Sequence, residues 1–351
     1  MSKINVAVLG ATGSVGQKFI ELLANHPWFE LIEVAASNRS ANKKYGEAAN
    51  WFMQTPIPDK IKNMEVKECI PNLTAKVVFS GLDSSVAGEI EEKFANAGYA
   101  VISNSKNHRF DENVPLMIPE VNADHLAMLK NQSNGYIVTN PNCSTIGMVM
   151  ALKPLHDKFG IEKVNVVTMQ AISGAGYPGV PSLDIYDNVV PFIDGEEPKL
   201  EKEPLKILGK LNSSNKVDLA DIQISAQCNR VAVTDGHTEC VQIKFRKAPT
   251  KEEIIEAWTN YRGEPQKLNL PTAPKQPIHY FEENRFPQPK THRNLEGGMA
   301  VSVGRLRECS LFDYKFVVLS HNTVRGAAGG TILIAELMKE KNLLNSNFVL
   351  R

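Results

Sequence analysis

The stretch Ile4–Ser40, "INVAVLGATGSVGQKFIELLANHPWFELIEVAASNRS", decides the fold. Ile4 to Leu9 is a short apolar run rich in branched residues, the pattern of a strand buried on both faces of a parallel sheet. Gly10, Gly13 and Gly16 follow at three-residue spacing, and Phe19, Ile20, Leu22 and Leu23 then recur at helical spacing. Leu31 to Ala36 reads as a second strand, so the stretch forms a βαβ unit with glycines at its first turn. Glycines let the backbone turn tightly against an anion, and the helix start offers free N–H groups and a positive dipole end. The spacing is G-x-x-G-x-x-G rather than G-x-G-x-x-G. A bare turn would share it, but the flanking strand and helix favour a pyrophosphate site.

The end of the second strand reads the cofactor. An acidic residue about 20 positions beyond the glycines would bind a ribose 2′-hydroxyl. Here Ser37, Asn38, Arg39 and Ser40 offer a cation with small hydroxyl and amide groups, and Glu33 lies too early, inside the strand. Such a set suits a 2′-phosphate, so NADP is expected.

The alternation continues. "KVVFS" (Lys76–Ser80), "YAVISN" (Tyr99–Asn104) and "YIVT" (Tyr136–Thr139) read as strands, and "VAGEIEEKFANAG" as a helix. Alternating strands and helices predict a doubly wound parallel sheet with ligands at the carboxyl ends of its strands. Ser80, Asn104 and Asn140 to Cys143 all follow strands in this reading.

Lys+Arg and Asp+Glu balance at 39 each in 351 residues, which gives no broad electrostatic footprint for nucleic acid or an anionic membrane. No apolar run approaches the roughly 20 residues of a membrane span, and the N-terminus enters a strand without a signal segment. A cytoplasmic location is expected. Five widely spaced cysteines without a C-x-x-C support neither a disulfide framework nor a zinc site, so no metal is expected.

One cysteine stands apart. "TNPNCSTIGMVMALKPL" (Thr139–Leu155) places Cys143 just after Asn142, a plausible N-cap, with Ile146, Val149, Met150 and Leu152 forming an apolar face. In a first turn the free N–H groups and the dipole stabilise a thiolate and could hold an oxyanion. Position alone leaves both a nucleophile and an inert buried thiol open. A thiolate beside a nicotinamide suggests acyl transfer to sulfur followed by hydride reduction, which needs a proton handler. "ISAQCNRVAVTDGHTECVQIKF" (Ile224–Phe245) reads as two strands joined by a Thr-Asp-Gly turn, with His237 beside the turn and Arg230 seven residues earlier. Arg230 suits a substrate carboxylate or an internal salt bridge; His237 suits an acid/base role or a satisfied structural bond.

Together these residues resemble the aspartate-semialdehyde dehydrogenase family over nearly the whole chain, through "GATGSVGQ", "TNPNCST", "MQAISGAGYPGVPS", "CNRVAVTDGHTE" and "HNTVRGAAGGTI". "SNRSANKKYG" and "DIYDNVVPFI" look most like its archaeal and fungal branch. The resemblance implies Cys143 as nucleophile, His237 as acid/base, Gln170 orienting substrate and Arg230 gripping its carboxylate. It further implies Glu203 at the substrate amine, with Arg109 and Lys206 at phosphate. NADP would lie against Gly10, Thr12, Gly13, Ser14, Val15, Ser37, Arg39, Ser40 and Ser80, with Ser173, Gly174 and Asn322 near the nicotinamide.

The implied fold is α/β: a Rossmann-like NADP-binding domain, residues 1–142, completed by a C-terminal helix within 323–351. An α+β catalytic and dimerisation domain spans 143–322, in a homodimer or homotetramer. "APKQPIHYFEENRFPQPKTHRN" (Ala273–Asn294) reads as a long arm or loop between strands. The implied reaction is NADPH-dependent reductive dephosphorylation of L-4-aspartyl phosphate to L-aspartate 4-semialdehyde, in lysine, threonine and methionine biosynthesis. Two alternatives are a malonyl-CoA reductase using the same Cys/His chemistry and a catalytically silent NADP-binding sensor.

Overall fold

The computed structural model describes residues 3–344. The opening stretch folds as its pattern dictates: β1 (Ile4–Leu9), a helix over Ser14–Leu23, and β2 (Phe29–Ala36). β3 (Val66–Glu68), β4 (Val77–Ser80), β5 (Ala100–Ser103) and β6 (Tyr136–Thr139) complete a sheet of order β3-β2-β1-β4-β5-β6. Every pairing in it is parallel. Because β1 has β2 on one side and β4 on the other, strand order reverses beside β1 and opens a crevice at the carboxyl ends. Gly10, with φ +71°, makes the turn into that crevice, and a Cβ there would lie 2.7 Å from the Gly81 carbonyl.

The second sheet contains β7 (Ile161–Gln170), β10 (Gln223–Arg230), β11 (His237–Phe245), β12 (Ile278–Phe281), β13 (Val301–Glu308) and β14 (Tyr314–Ser320); β8 (Lys210–Leu211) and β9 (Val217–Asp218) form a separate short ribbon. Its order is β10-β7-β11-β14-β13-β12. One expectation gains a detail here and one changes. The strands of Ile224–Phe245 do not pair with each other: β7 lies between them, parallel to β10 and antiparallel to β11. The segment Ala273–Asn294 is not wholly an arm: Ile278–Phe281 pairs in parallel with β13 as an edge strand, where flanking prolines cost no ladder bonds.

Cys143 begins a helix that runs to Phe159 and is buried almost throughout. Its Ile146, Val149 and Leu152 pack with Val164, Val166, Val241 and Val318 of the second sheet. The Gly329–Glu340 helix returns to the first sheet, where Ile332, Leu333, Ile334 and Leu337 share a core with Val6, Phe19 and Phe79. Within the expected 323–351 span, regular helix stops at Glu340, and 345–351 lie outside the described residues.

Candidate active site

The start of the Cys143 helix meets one edge of the second sheet. That edge carries the last residues of β7 and β10 and the first of β11, so Gln170, Arg230 and His237 converge there: Gln170 stands opposite Arg230 across the β7–β10 pair. Cys143 Sγ lies 3.2 Å from His237 Nε2. His237 Nδ1 accepts the Ala171 backbone N–H at 3.0 Å. A backbone N–H only donates, so Nδ1 is unprotonated and the neutral ring carries its proton on Nε2, facing sulfur.

Burial pushes the Cys143 thiol up to about 12, and the Glu196 carboxylate adds to this, against Arg109, Lys199 and Arg230, which pull it down. Burial also pushes His237 down to about 3, helped by Arg230 and His321. In this geometry the pair is a thiol beside a neutral imidazole. Thiolate formation then depends on the helix start and on Arg109, Lys199 and Arg230, whose charges favour the anion.

Asn142 is the N-cap, its Oδ1 accepting the N–H groups of Ser144 and Thr145. Those two donors are therefore taken, and an oxyanion is left the N–H of Cys143 itself. The helix Glu197–Ile207, with Glu196 at its start, presents Glu196, Lys199, Glu203 and Lys206 at helical spacing. Glu196 accepts Asn142 Nδ2 at 2.6 Å and Lys199 at 2.8 Å. Glu203, fully buried, accepts Arg109 Nη1 and the Asn142 backbone N–H, both at 2.7 Å.

Lys206 differs from its expected place at phosphate. Its three ammonium protons go to the carbonyls of Arg109, Asp111 and Val114 at 2.8–2.9 Å, so it clamps the Arg109 segment and offers no further donor. Burial lowers its pKa to about 8. Ser80 also departs from expectation: it is fully buried and its hydroxyl is bonded to Glu91, which removes it from the crevice.

Arg230 donates Nη1 to the Ala171 carbonyl at 2.8 Å. Gly174 is seated against this group, since a Cβ on it would lie 2.8 Å from Arg230 Nη1 and 3.1 Å from His237 Cε1. Asn322 accepts the Gly236 N–H and donates to Ser173 Oγ, both at 2.8 Å, so Ser173, Gly174 and Asn322 form one wall beside His237.

At the other end of the crevice, Thr12, Ser14 and Val15 are half-buried and Gly13 is exposed, at a helix start that no side chain caps. Ser37 and Arg39 are exposed past β2, with Ser40 half-buried. The open glycine turn, uncapped N–H groups and an exposed cation fit a dinucleotide carrying a 2′-phosphate.

Reading the sequence missed Glu196, Lys199 and His321. The first two sit in the charged run "GEEPKLEKEPLK", whose composition looks like a solvated face. His321 is buried and held near pKa 4, chiefly by that burial.

Two family models match: the semialdehyde dehydrogenase NAD binding domain over residues 5–129 and the semialdehyde dehydrogenase dimerisation domain over 152–325. An aspartate-semialdehyde dehydrogenase of Schizosaccharomyces pombe is 52% identical, covering 97% of this chain and 99% of that one. One from Archaeoglobus fulgidus is 51% identical over the same shares. The crystal structure of the Candida albicans enzyme with NADP superposes with a TM-score of 0.91 at 46% identity, covering 97% of this chain and 100% of the other. The chain therefore belongs to the aspartate-semialdehyde dehydrogenase family.

Proposed function

We propose that this protein reduces L-4-aspartyl phosphate to L-aspartate 4-semialdehyde with NADPH, in the biosynthesis of lysine, threonine and methionine. The observation that carries the reading is the Cys143 Sγ–His237 Nε2 contact of 3.2 Å at the strand end bearing Arg230. Arg230 receives the substrate carboxylate, and Gln170 beside it orients the acyl group. Cys143 attacks the acyl carbon, the C–O bond to phosphate breaks, the thiol proton leaves with the departing phosphate, and a thioacyl group remains on sulfur. NADPH, when bound, supplies the hydride. As the resulting thiohemiacetal collapses, the C–S bond breaks and sulfur leaves as a thiolate, stabilised by a hydrogen bond from the His237 Nε2–H until it regains a proton from solvent.

Arg109 supplies the cation nearest the phosphate, with Lys206 holding its segment in place. Glu203 acts by fixing both Arg109 and the Asn142 peptide. Thr12 to Val15 hold the pyrophosphate, Arg39 and Ser40 the 2′-phosphate, and Ser173, Gly174 and Asn322 flank the nicotinamide. The working form is a homo-oligomer in the cytoplasm, a dimer or tetramer. Leu183 (90% exposed), Tyr186 and Phe192 offer an apolar strip on the second domain for that contact. Among the described residues no helix is long and apolar enough to cross a membrane.

The test is NADPH formation from L-aspartate 4-semialdehyde, NADP and phosphate, with C143S and phosphate-free controls. Phosphate-dependent turnover that is lost in C143S supports the reading. A folded, NADP-binding protein that is inactive here and reduces malonyl-CoA with NADPH, releasing CoA, overturns it.

A further inference from the structure

Behind the Cys143–His237 pair the second sheet carries a carboxyl group that the reaction does not use. Glu239 follows His237 by two residues on β11, so both side chains leave the same face of the sheet. Glu239 is 1% exposed, and neither of its carboxyl oxygens has a hydrogen-bond partner among the described residues. Thr168 stands directly opposite it on β7, and Ser320 stands opposite His237 on β14.

The Cys143 helix roofs this face, and its contact residue there is Gly147. A Cβ on Gly147 would lie 2.5 Å from Ser320 Oγ and 3.7 Å from Glu239 Oε1, so the helix lacks a side chain where these two groups rise. Ser320 Oγ has no partner either, nor does the hydroxyl of Ser144, fully buried and three residues before Gly147 on the helix.

Buried polar groups find partners in protein or in ordered water, and an unpaired buried carboxylate is among the costliest groups to leave without one. The group that satisfies a carboxyl and two hydroxyls together is small and both donates and accepts. We propose that Glu239, Ser320 and Ser144 line a buried water site between the Cys143 helix and the second sheet, in which the Glu239 carboxyl is kept protonated. Burial alone acts on this carboxyl, raising its pKa well above the usual range. The titratable groups nearest in register are neutral: His237 on the same strand, and Cys228, which stands opposite Thr168 on β10.

The site shields the nucleophile. Gly147 is four residues from Cys143, about 6 Å along the helix axis. An ionised Glu239 would set a second negative charge behind the thiol, adding to Glu196 and opposing the thiolate. Water bound to a neutral acid satisfies the pocket without that charge. The water site stands whatever the substrate is, while its bearing on the thiol rests on Cys143 being the nucleophile.

The experiment uses the full chain. A high-resolution crystal structure is expected to show ordered water within hydrogen-bond distance of the Glu239 carboxyl and Ser320 Oγ. A dry pocket with the two groups bonded directly overturns the proposal. Infrared spectra are expected to contain the C=O stretch of a buried protonated carboxyl that disappears in E239Q; no such band in the wild type overturns it. Should E239Q not fold, S320A takes its place, with a shifted band expected and an unshifted one contrary. Where E239Q folds, the pH midpoint of Cys143 alkylation should match the wild type. The groups that set this midpoint, His237, Arg230, Arg109, Lys199 and Glu196, are common to both. A clearly lower midpoint in E239Q means that Glu239 carried charge, and the proposal fails.

Discussion

The Ala171 backbone N–H donates to His237 Nδ1 at 3.0 Å and thereby fixes which ring nitrogen faces Cys143. An imidazolium would need a proton on Nδ1, pointed at another proton. His237 is thus arranged as a donor through Nε2. Replacing it by Ala, which removes that donor, should lower kcat by about 10²- to 10³-fold with a smaller change in KM. Steady-state kinetics check this, and an unchanged kcat would remove His237 from the reaction.

Cys143→Ser should reduce turnover by about four orders of magnitude or more while NADP binding, read by fluorescence titration, stays intact. The nucleotide crevice and the thiol sit on separate turns, one after β1 and one after β6, so cofactor binding does not depend on the sulfur.

Gly174→Ala should leave the melting temperature near that of the wild type and reduce kcat/KM by about 100-fold. Its methyl would stand 2.8 Å from Arg230 Nη1 and 3.1 Å from His237 Cε1, and both must move to admit it. Normal kinetics would show that the site gives way at no cost.

Glu203→Ala should destabilise the fold by about 3 kcal/mol in urea titrations, because it leaves the buried Arg109 guanidinium without its anion. It also releases the Asn142 peptide N–H, so activity should fall even where the protein remains folded.

Acid should unfold the protein partly through His237. Its pKa lies near 6.5 in the unfolded chain and about 3 in the fold, so the unfolded state binds more protons between those values. The contribution is intact above pH 6.5 and is lost progressively as pH falls toward 3. The His237→Ala variant should show a shallower fall in denaturation midpoint across that window.

The first half of the chain was legible because its signals are local. An apolar run, three glycines and a helical repeat each lie within a few residues, and the parallel sheet follows from them. Cys143 was legible for the same reason, since Asn142 marks its helix start. The second domain was less so. Nothing within Ile224–Phe245 says that β7 will enter between its two strands, because that choice is made by burial against a helix distant in sequence. The edge strand Ile278–Phe281 was hidden by the prolines around it. The helix from Glu197 was the hardest to read: its charged residues look solvated in sequence, yet Glu203 and Lys206 are buried by partners whose backbone groups the sequence does not advertise.

The helix Gly329–Glu340 has a consequence for how the protein is made. Its Ile332, Leu333 and Leu337 close the core begun by Val6 and Phe19, and Glu336 meets His26 at 2.7 Å inside it. The first sheet to leave the ribosome therefore waits for the last of its covering helices until Gly329–Glu340 has been translated. A chain that stops short of this helix leaves that part of the core exposed. The cell's chaperones and proteases thus have a built-in mark by which an unfinished copy differs from a finished one.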